Sequence, residues 1–329
     1  MTDRAAALSA MLAHAGWDGA SRAPLHGDAS FRRYERLHGA EGATAILMDA
    51  PPPQENVRPF VDVAERLRAA GLSAPVILAQ DVERGFLLLE DFGDARMGEL
   101  LRRVDAPEPL YALATDTLAA LHGAAPSLEN LPGWRRPELI RTASLFLDWW
   151  MPHAGRLEVS DAMRASFLEA WNAVFDVGPS LPQTMVLRDY FPDNLMLLAG
   201  RPGVQACGLL DFQDAGIGSP AYDLVSLLRD ARRDVPAGIE AAMIARYLAA
   251  RPEIDRAAFL ADYALHGAQR ACRILGVFVR LDRRDGKPHY LHHLPRLWRQ
   301  LDMALAAPLL APVADWFTRQ VPAEVRSGR

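Results

Sequence analysis

The stretch VLRDYFPDNLM, residues 186–196, sets Asp189 directly after Arg188 and Asn194 five residues beyond it, with apolar residues on both sides. It reads as a polar turn between two short strands. By itself an Asp-x-x-x-x-Asn spacing is also what an ordinary turn with Asx-type side-chain bonds produces. A second loop changes its meaning. In GLLDFQDAGIGSPAYDL, residues 208–224, Asp211 ends an apolar strand 17 residues after Asn194. An amide and a carboxylate on neighbouring strand ends can converge on one hard cation, and magnesium takes oxygen ligands while also binding substrate phosphates. Asp189 then remains to accept a proton from a hydroxyl. Positioning, charge neutralisation and a base are what phosphoryl transfer requires. Further along the second loop, Ser219 suits a helix N-cap and Pro220 the first helical position, with Asp223 one turn in. Asp214 is either a turn residue or a support for the others.

The rest of the chain bounds this reading. It has 329 residues, half of them hydrophobic, and a formal net charge of −5. That length suits one large domain or two lobes. The negative charge argues against nucleic acid or an anionic membrane as the main partner. No run of 18 apolar residues exists, so no membrane span is expected. The opening MTDRAAALSAMLAHAGW reads as an amphipathic helix and not a signal peptide, because Asp3, Arg4 and His14 interrupt it. Two cysteines, Cys207 and Cys272, make neither a disulfide framework nor a zinc site and suit a cytoplasmic location. No protein partner is readable. Of the 36 basic residues, Lys287 alone is lysine.

Periodicity divides the chain near residue 91. Before it, 31–39, 43–50, 74–81 and 85–91 read as strands, the last two as a hairpin around Glu83-Arg84. Phe60, Val63, Ala64 and Leu67 form the apolar stripe of a helix that Gly71 closes. After it, helical periodicity covers roughly 106–124, 137–150, 158–176, 237–250, 254–281 and 289–306, interrupted by three short strands within 184–215. The expected fold is α+β: a strand-rich N-terminal lobe over 1–91, a hinge near 90–93, and a larger helical lobe over 94–329 with a small β insert. Clefts between lobes commonly hold small molecules.

LRDYFPDN followed by LLDFQD resembles the catalytic and metal loops of the protein-kinase-like superfamily, nearest the aminoglycoside phosphotransferase and choline kinase branch. The resemblance implies that Asp189 is the catalytic base, that Asn194 and Asp211 are Mg2+ ligands, and that ATP is the donor. It also implies that Asp223 braces the catalytic loop from behind. Where the superfamily usually has His before the Arg-Asp pair, this chain has Leu187. In the N-terminal lobe, GDASFRRY (27–34) could lie over the phosphates, with Ser30 among its small residues. LLLEDFGD (87–94) stands where the hinge belongs, so backbone groups from Glu90 to Phe92 would hold the adenine edge. The strand ILMDAPP carries Met48 where kinases place a phosphate-contacting Lys, and no lysine precedes residue 287. Either the chain is a pseudokinase or another cation substitutes. Arg32 and Arg33 are adjacent on a strand and point to opposite faces, so one of them should face the cleft.

A closer resemblance spans about residues 26–295. GDASFRRY, MDAPPPQENVRPFVDVAERL, APVILAQDVERGFLLLEDFGD and GAQRACRILGVFVRLDRRDGKPHYL look like the bacterial anomeric kinases of cell-wall sugar recycling. That group phosphorylates N-acetylmuramate and N-acetylglucosamine at the anomeric hydroxyl, which makes a small sugar the expected acceptor. On the acceptor side, Gln269 or Arg270 could face the cleft, and Arg229 could reach the same space. The alternative for His266, Arg270 and Arg273 is a solvated basic helix face. Trp149 and Trp150 are core or a sugar platform. Other readings are an aminoglycoside- or choline-type kinase and a nucleotide-binding regulator without turnover.

Overall fold

The computed structural model describes residues 2–25 and 31–326, so Gly27 to Ser30 of the expected phosphate loop lie outside the described residues. Helix α1 (Thr2–His14) is followed by strands β1 (Ser21–Leu25), β2 (Arg33–His38) and β3 (Thr44–Asp49), helix α2 (Arg58–Ala69), and strands β4 (Ile77–Asp81) and β5 (Phe86–Glu90). Next come α3 (Met97–Leu100), α4 (Glu108–Ala124), α5 (Arg136–Ala143) and α6 (Asp161–Val177). Four three-residue strands follow: β6 (Thr184–Val186), β7 (Leu195–Leu197), β8 (Cys207–Leu209) and β9 (Gly216–Gly218). Helices α7 (Ala221–Leu228), α8 (Ala237–Ala250), α9 (Arg256–Asp285), α10 (Leu294–Leu305) and α11 (Ala311–Gln320) complete the body. The fold is α+β, strand-rich first and helical afterwards, as the periodicity predicts.

The chain forms two compact units that do not follow the change of secondary structure near residue 91. One comprises residues 1–127 with 192–214, the other 128–191 with 215–329. The first unit reaches past residues 90–93 because backbone pairing ties distant segments together: Ser73 bridges Gly208 and Arg96 bridges Met196.

In the first unit an antiparallel sheet runs in the order β1-β2-β3-β5-β4. Helix α1 covers one face with Leu8 and Leu12 against Leu37, Leu47, Phe86 and Leu88. Helix α2 buries Phe60, Val63, Ala64 and Leu67, the stripe its sequence predicts. It ends on Gly71 at φ +79, where the Leu72 N–H bonds Leu67 O and the Gly71 N–H bonds Arg68 O, a Schellman closure. The β4–β5 turn needs Gly85, since a Cβ there would lie 2.0 Å from the Ala50 carbonyl oxygen.

In the second unit α9 is the axis of the core, packed by Phe146, Trp150, Trp298, Trp316 and Phe317. The single helix expected over 137–150 is two segments. Helix α5 stops at Ala143, and a π-helical stretch runs from Phe146 to Ala154 with Pro152 inside it. Gly276 of α9 lets this stretch approach, because a Cβ there would meet the Leu145 carbonyl oxygen at 2.2 Å. Trp150 is 2% exposed and stacks on Phe146, so it belongs to the core.

Candidate active site

The β-insert builds the first cluster in the first unit. Strands β7 and β8 pair with Leu195 opposite Leu209. One residue further, the Leu210 N–H donates to the Asn194 carbonyl at 3.0 Å. That register brings the Asn194 amide to Asp211, Nδ2 to Oδ2 at 3.3 Å. Asp211 sits in the left-handed region at φ +57, and its Oδ1 accepts from Gln213 Nε2 at 2.8 Å. Phe212, wholly buried, holds the loop by packing on Phe60 of α2 with ring centroids 4.8 Å apart. The donor set suits magnesium. One carboxylate and one amide supply hard oxygens once the Asn194 amide turns its Oδ1 forward, and an ion of this kind keeps waters and substrate phosphates as its remaining ligands.

Around the missing lysine the same unit builds a different charge pair. Met48 on β3 is 1% exposed, between Tyr34 on β2 and Leu87 on β5. Arg32 Nε donates to Glu55 Oε2 at 3.0 Å, and both side chains are largely covered. The Tyr34 hydroxyl is hydrogen-bonded to Arg32. Burial pushes the Tyr34 phenol upward against the pull of Arg32, and the negative charge of Asp211 adds to the rise. Arg32, Glu55, Tyr34 and Asp211 therefore share one electrostatic neighbourhood. Arg33 differs: its side chain is 75% exposed and 3.8 Å from Asp49. Of the two arginines weighed from sequence, Arg32 is the one held inward.

Where the hinge is expected, the Glu90 N–H is taken by the Val76 carbonyl at 2.8 Å. Its side chain accepts from the Val76 N–H and from Arg201. Phe92 lies over Gly208, whose missing Cβ makes room for the ring, and Arg201 lies above Phe92 at 5.3 Å.

In the second unit the Asp189 loop is held along its main chain. Asp223, fully buried at the start of α7, accepts the N–H of Leu187 at 2.5 Å and of Arg188 at 2.8 Å. Arg270 Nη1 donates to the Arg188 carbonyl at 3.2 Å. Arg188 adopts φ +70, with its guanidinium over the Trp134 ring at 3.9 Å. Burial pushes the Asp223 carboxyl up to about 7, opposed by its two backbone donors and by Arg270 and reinforced by the charge of Asp189. Leu187, in the position usually held by His, is 4% exposed.

The residues expected on the acceptor side have other work. Gln269 is fully buried, and its Nε2 donates to Leu139 O at 2.8 Å and Thr142 Oγ1 at 3.1 Å. It ties α9 to α5 and presents nothing to solvent. Arg270, 4% exposed, is a prop of the Asp189 loop. Arg229 Nε donates to Glu240 Oε1 at 2.9 Å, and Gly267 makes room for its guanidinium. His266 is buried too, and its burial lowers its pKa, so no solvated basic face runs from it to Arg270. Helical periodicity marks a polar stripe but not what packs over it. Sequence reasoning passed over Glu55, Tyr34 and Trp134; for Glu55 the one available signal was that an inward arginine needs a carboxylate partner.

Comparisons with known proteins place this geometry. The model of the phosphotransferase enzyme family matches residues 21–260. The chain is 40% identical to an N-acetylmuramate/N-acetylglucosamine kinase of Caulobacter vibrioides, over 99% of each protein. It is 38% identical to the kinase of that description from Pseudomonas aeruginosa, over 89% of this chain and 86% of the other. Among solved structures, a choline/ethanolamine kinase family protein from Mesorhizobium loti superposes with a TM-score of 0.64 at 16% identity, covering 94% of this chain and 99% of that one. A GDP complex of aminoglycoside 2'-phosphotransferase-IIIa superposes with a TM-score of 0.57 at 14% identity, covering 91% and 98%. At such identities the likeness is one of fold.

Proposed function

The chain belongs to the phosphotransferase enzyme family, and from that premise we propose that it phosphorylates the anomeric hydroxyl of N-acetylmuramate and N-acetylglucosamine in the recycling of cell-wall sugars. Its activity is that of an ATP-dependent small-molecule kinase of the aminoglycoside phosphotransferase and choline kinase branch. The observation that carries the choice of acceptor is the likeness to the Caulobacter kinase over the whole chain. The two buried free thiols, Cys207 and Cys272, suit a cytoplasmic location. Among the described residues no helix is long and apolar enough to cross a membrane.

In this reading Asp189 takes the proton of the anomeric hydroxyl while that oxygen attacks the γ-phosphorus of ATP. The new oxygen–phosphorus bond forms, the bond to the β,γ-bridging oxygen breaks, and ADP leaves. The anomeric hydroxyl is more acidic than other sugar hydroxyls, so a carboxylate base has less to do there. Asn194 and Asp211 would hold a magnesium ion, whose chemistry at this point is to neutralise phosphate charge. Arg32, steadied by Glu55, supplies the cation that Met48 cannot. The segment from Glu90 to Phe92 receives the adenine edge. Asp223 and Arg270 keep the base in register. The 2-acetamido group is the handle nearest the anomeric carbon, and a site built around it leaves polar groups unpaired when glucose enters.

Magnesium-dependent ADP production with a panel of sugars tests the reading, and phosphorus–proton coupling in the product locates the ester. Coupling to the anomeric proton is expected, with glucose much poorer than the two N-acetyl sugars. Coupling to the C6 protons would overturn the anomeric assignment, and turnover with an aminoglycoside or choline alone would move the protein elsewhere in its branch.

A further inference from the structure

Some arginines of the second unit are paired with carboxylates and others, Arg232 among them, pack on aromatic rings. Arg136, Arg164, Arg251 and Arg296 each hold a carboxylate. The guanidinium of Arg232, half-buried, meets aromatic rings and, among the described residues, no carboxylate: Phe191 at 4.4 Å, and Phe278 and Tyr290 at 5.9 Å each. Of the two acids nearest in sequence, Asp230 is buried and engaged, its Oδ2 with Arg233 Nε at 2.6 Å and its Oδ1 with the backbone N–H of Arg232 at 2.9 Å. A guanidinium packed on ring faces keeps its planar fork oriented and only partly hydrated, ready for an oxyanion.

His293 lies beside the same ring, 5.7 Å from Phe278 between centroids. Its Nδ1 faces Arg296 Nη1 at 3.1 Å; because the guanidinium can only donate, Nδ1 accepts and the neutral ring carries its proton on Nε2. Burial lowers the His293 pKa to about 4, with further lowering from the positive field of His292, Arg296, Arg232 and His289. Asp234 is already shared by Arg296 and Arg299. The patch thus combines an oriented cation, a neutral N–H donor and a net positive field. Phe191, the ring beneath Arg232, follows the candidate base by two residues, and its N–H bonds the Asp189 carbonyl at 3.2 Å.

We propose that Arg232, with His293 beside it, is a subsite for a carboxylate carried by the acceptor, and that it favours the acidic sugar N-acetylmuramate over the neutral N-acetylglucosamine. This deepens the proposed function and rests on it. An anion at this patch could also be a nucleotide phosphate; Arg232 shares its unit with Asp189, and the kinetics below separate the two sources.

The test measures kcat/KM for both sugars in the wild type and in Arg232→Gln and Arg232→Ala. The ratio of N-acetylmuramate to N-acetylglucosamine efficiency should fall ten-fold or more. A ratio that stays put overturns the subsite, including the case in which the ATP KM rises equally with either sugar, which would make Arg232 a nucleotide contact. Should both variants fail to fold, the wild type decides alone: N-acetylmuramate should be used at least ten-fold better than its methyl ester, and equal use of acid and ester overturns the proposal. A wild type that phosphorylates neither sugar sinks the sugar-kinase reading first and the subsite with it.

Discussion

Asp223 accepts the main-chain N–H of Arg188 at 2.8 Å, so a buried carboxylate fixes the residue immediately before the candidate base. The neighbouring Leu187 N–H goes to its other oxygen. Two donors and one acceptor group hold a loop whose Arg188 has a left-handed backbone. Replacing Asp223 by Ala leaves both N–H groups without a partner at about 1–3 kcal/mol each. A drop in the denaturant midpoint and a loss of turnover are expected together, and normal turnover in a folded Asp223→Ala protein would mean that the loop does not need its brace.

Asp223 also predicts a pH dependence. Its folded pKa, raised to about 7 by burial, exceeds its ordinary carboxylate value. The native state therefore binds a proton that the unfolded chain has released. The stability this contributes is fully present below the unfolded pKa and is lost as pH rises through about 7. Melting temperatures measured from pH 5 to 8 should show the wild type losing stability relative to Asp223→Asn, whose amide does not ionise over that range. Parallel curves for the two proteins would assign the titration elsewhere.

Asp189→Asn keeps the shape of the side chain and removes a base. Turnover should fall by about 10²–10⁴-fold, the usual range for general-base catalysis, with ATP affinity held within a few-fold. Asp211→Ala should weaken magnesium–nucleotide binding itself, because it removes a carboxylate oxygen from the pair with Asn194. Titrations of both variants with ATP, with and without magnesium, separate the two roles.

Arg32 and Arg33 should behave unequally. Arg32→Ala is expected to raise the ATP KM or lower kcat ten-fold or more, about 1.4 kcal/mol. Glu55→Gln should move the same parameter in the same direction, because Glu55 orients the guanidinium. Arg33 is exposed and only 3.8 Å from Asp49, and surface changes of this kind usually stay within about 0.5 kcal/mol. Equal kinetics for Arg32→Ala and the wild type would leave the phosphate charge without its proposed counterpart.

Gln269→Ala tests the assignment of that side chain to the core. The Leu139 carbonyl and the Thr142 hydroxyl lose a buried donor, which should cost about 1–3 kcal/mol of stability. The acceptor KM of the folded fraction should stay near that of the wild type. A large KM change with an unchanged denaturation midpoint would return Gln269 to the acceptor side.

The sequence by itself determined what depends on neighbours a few residues away. The α2 stripe, its Gly71 closure and the strand on either side of the Asn194 loop follow from periodicity and turn chemistry. The want of a lysine before residue 287 is a fact of composition. Strand β9, three residues with glycine at both ends, carries no periodic signal and exists because β6 and Trp134 bind its backbone. Only the tertiary structure chose Arg32 over Arg33, because the choice rests on Glu55 arriving from a loop 23 residues away. It also buried Gln269 against α5 and set Arg232 on aromatic rings. In each case a polar side chain becomes a strut or an open group according to what distant segments pack against it, and local pattern carries no record of those segments.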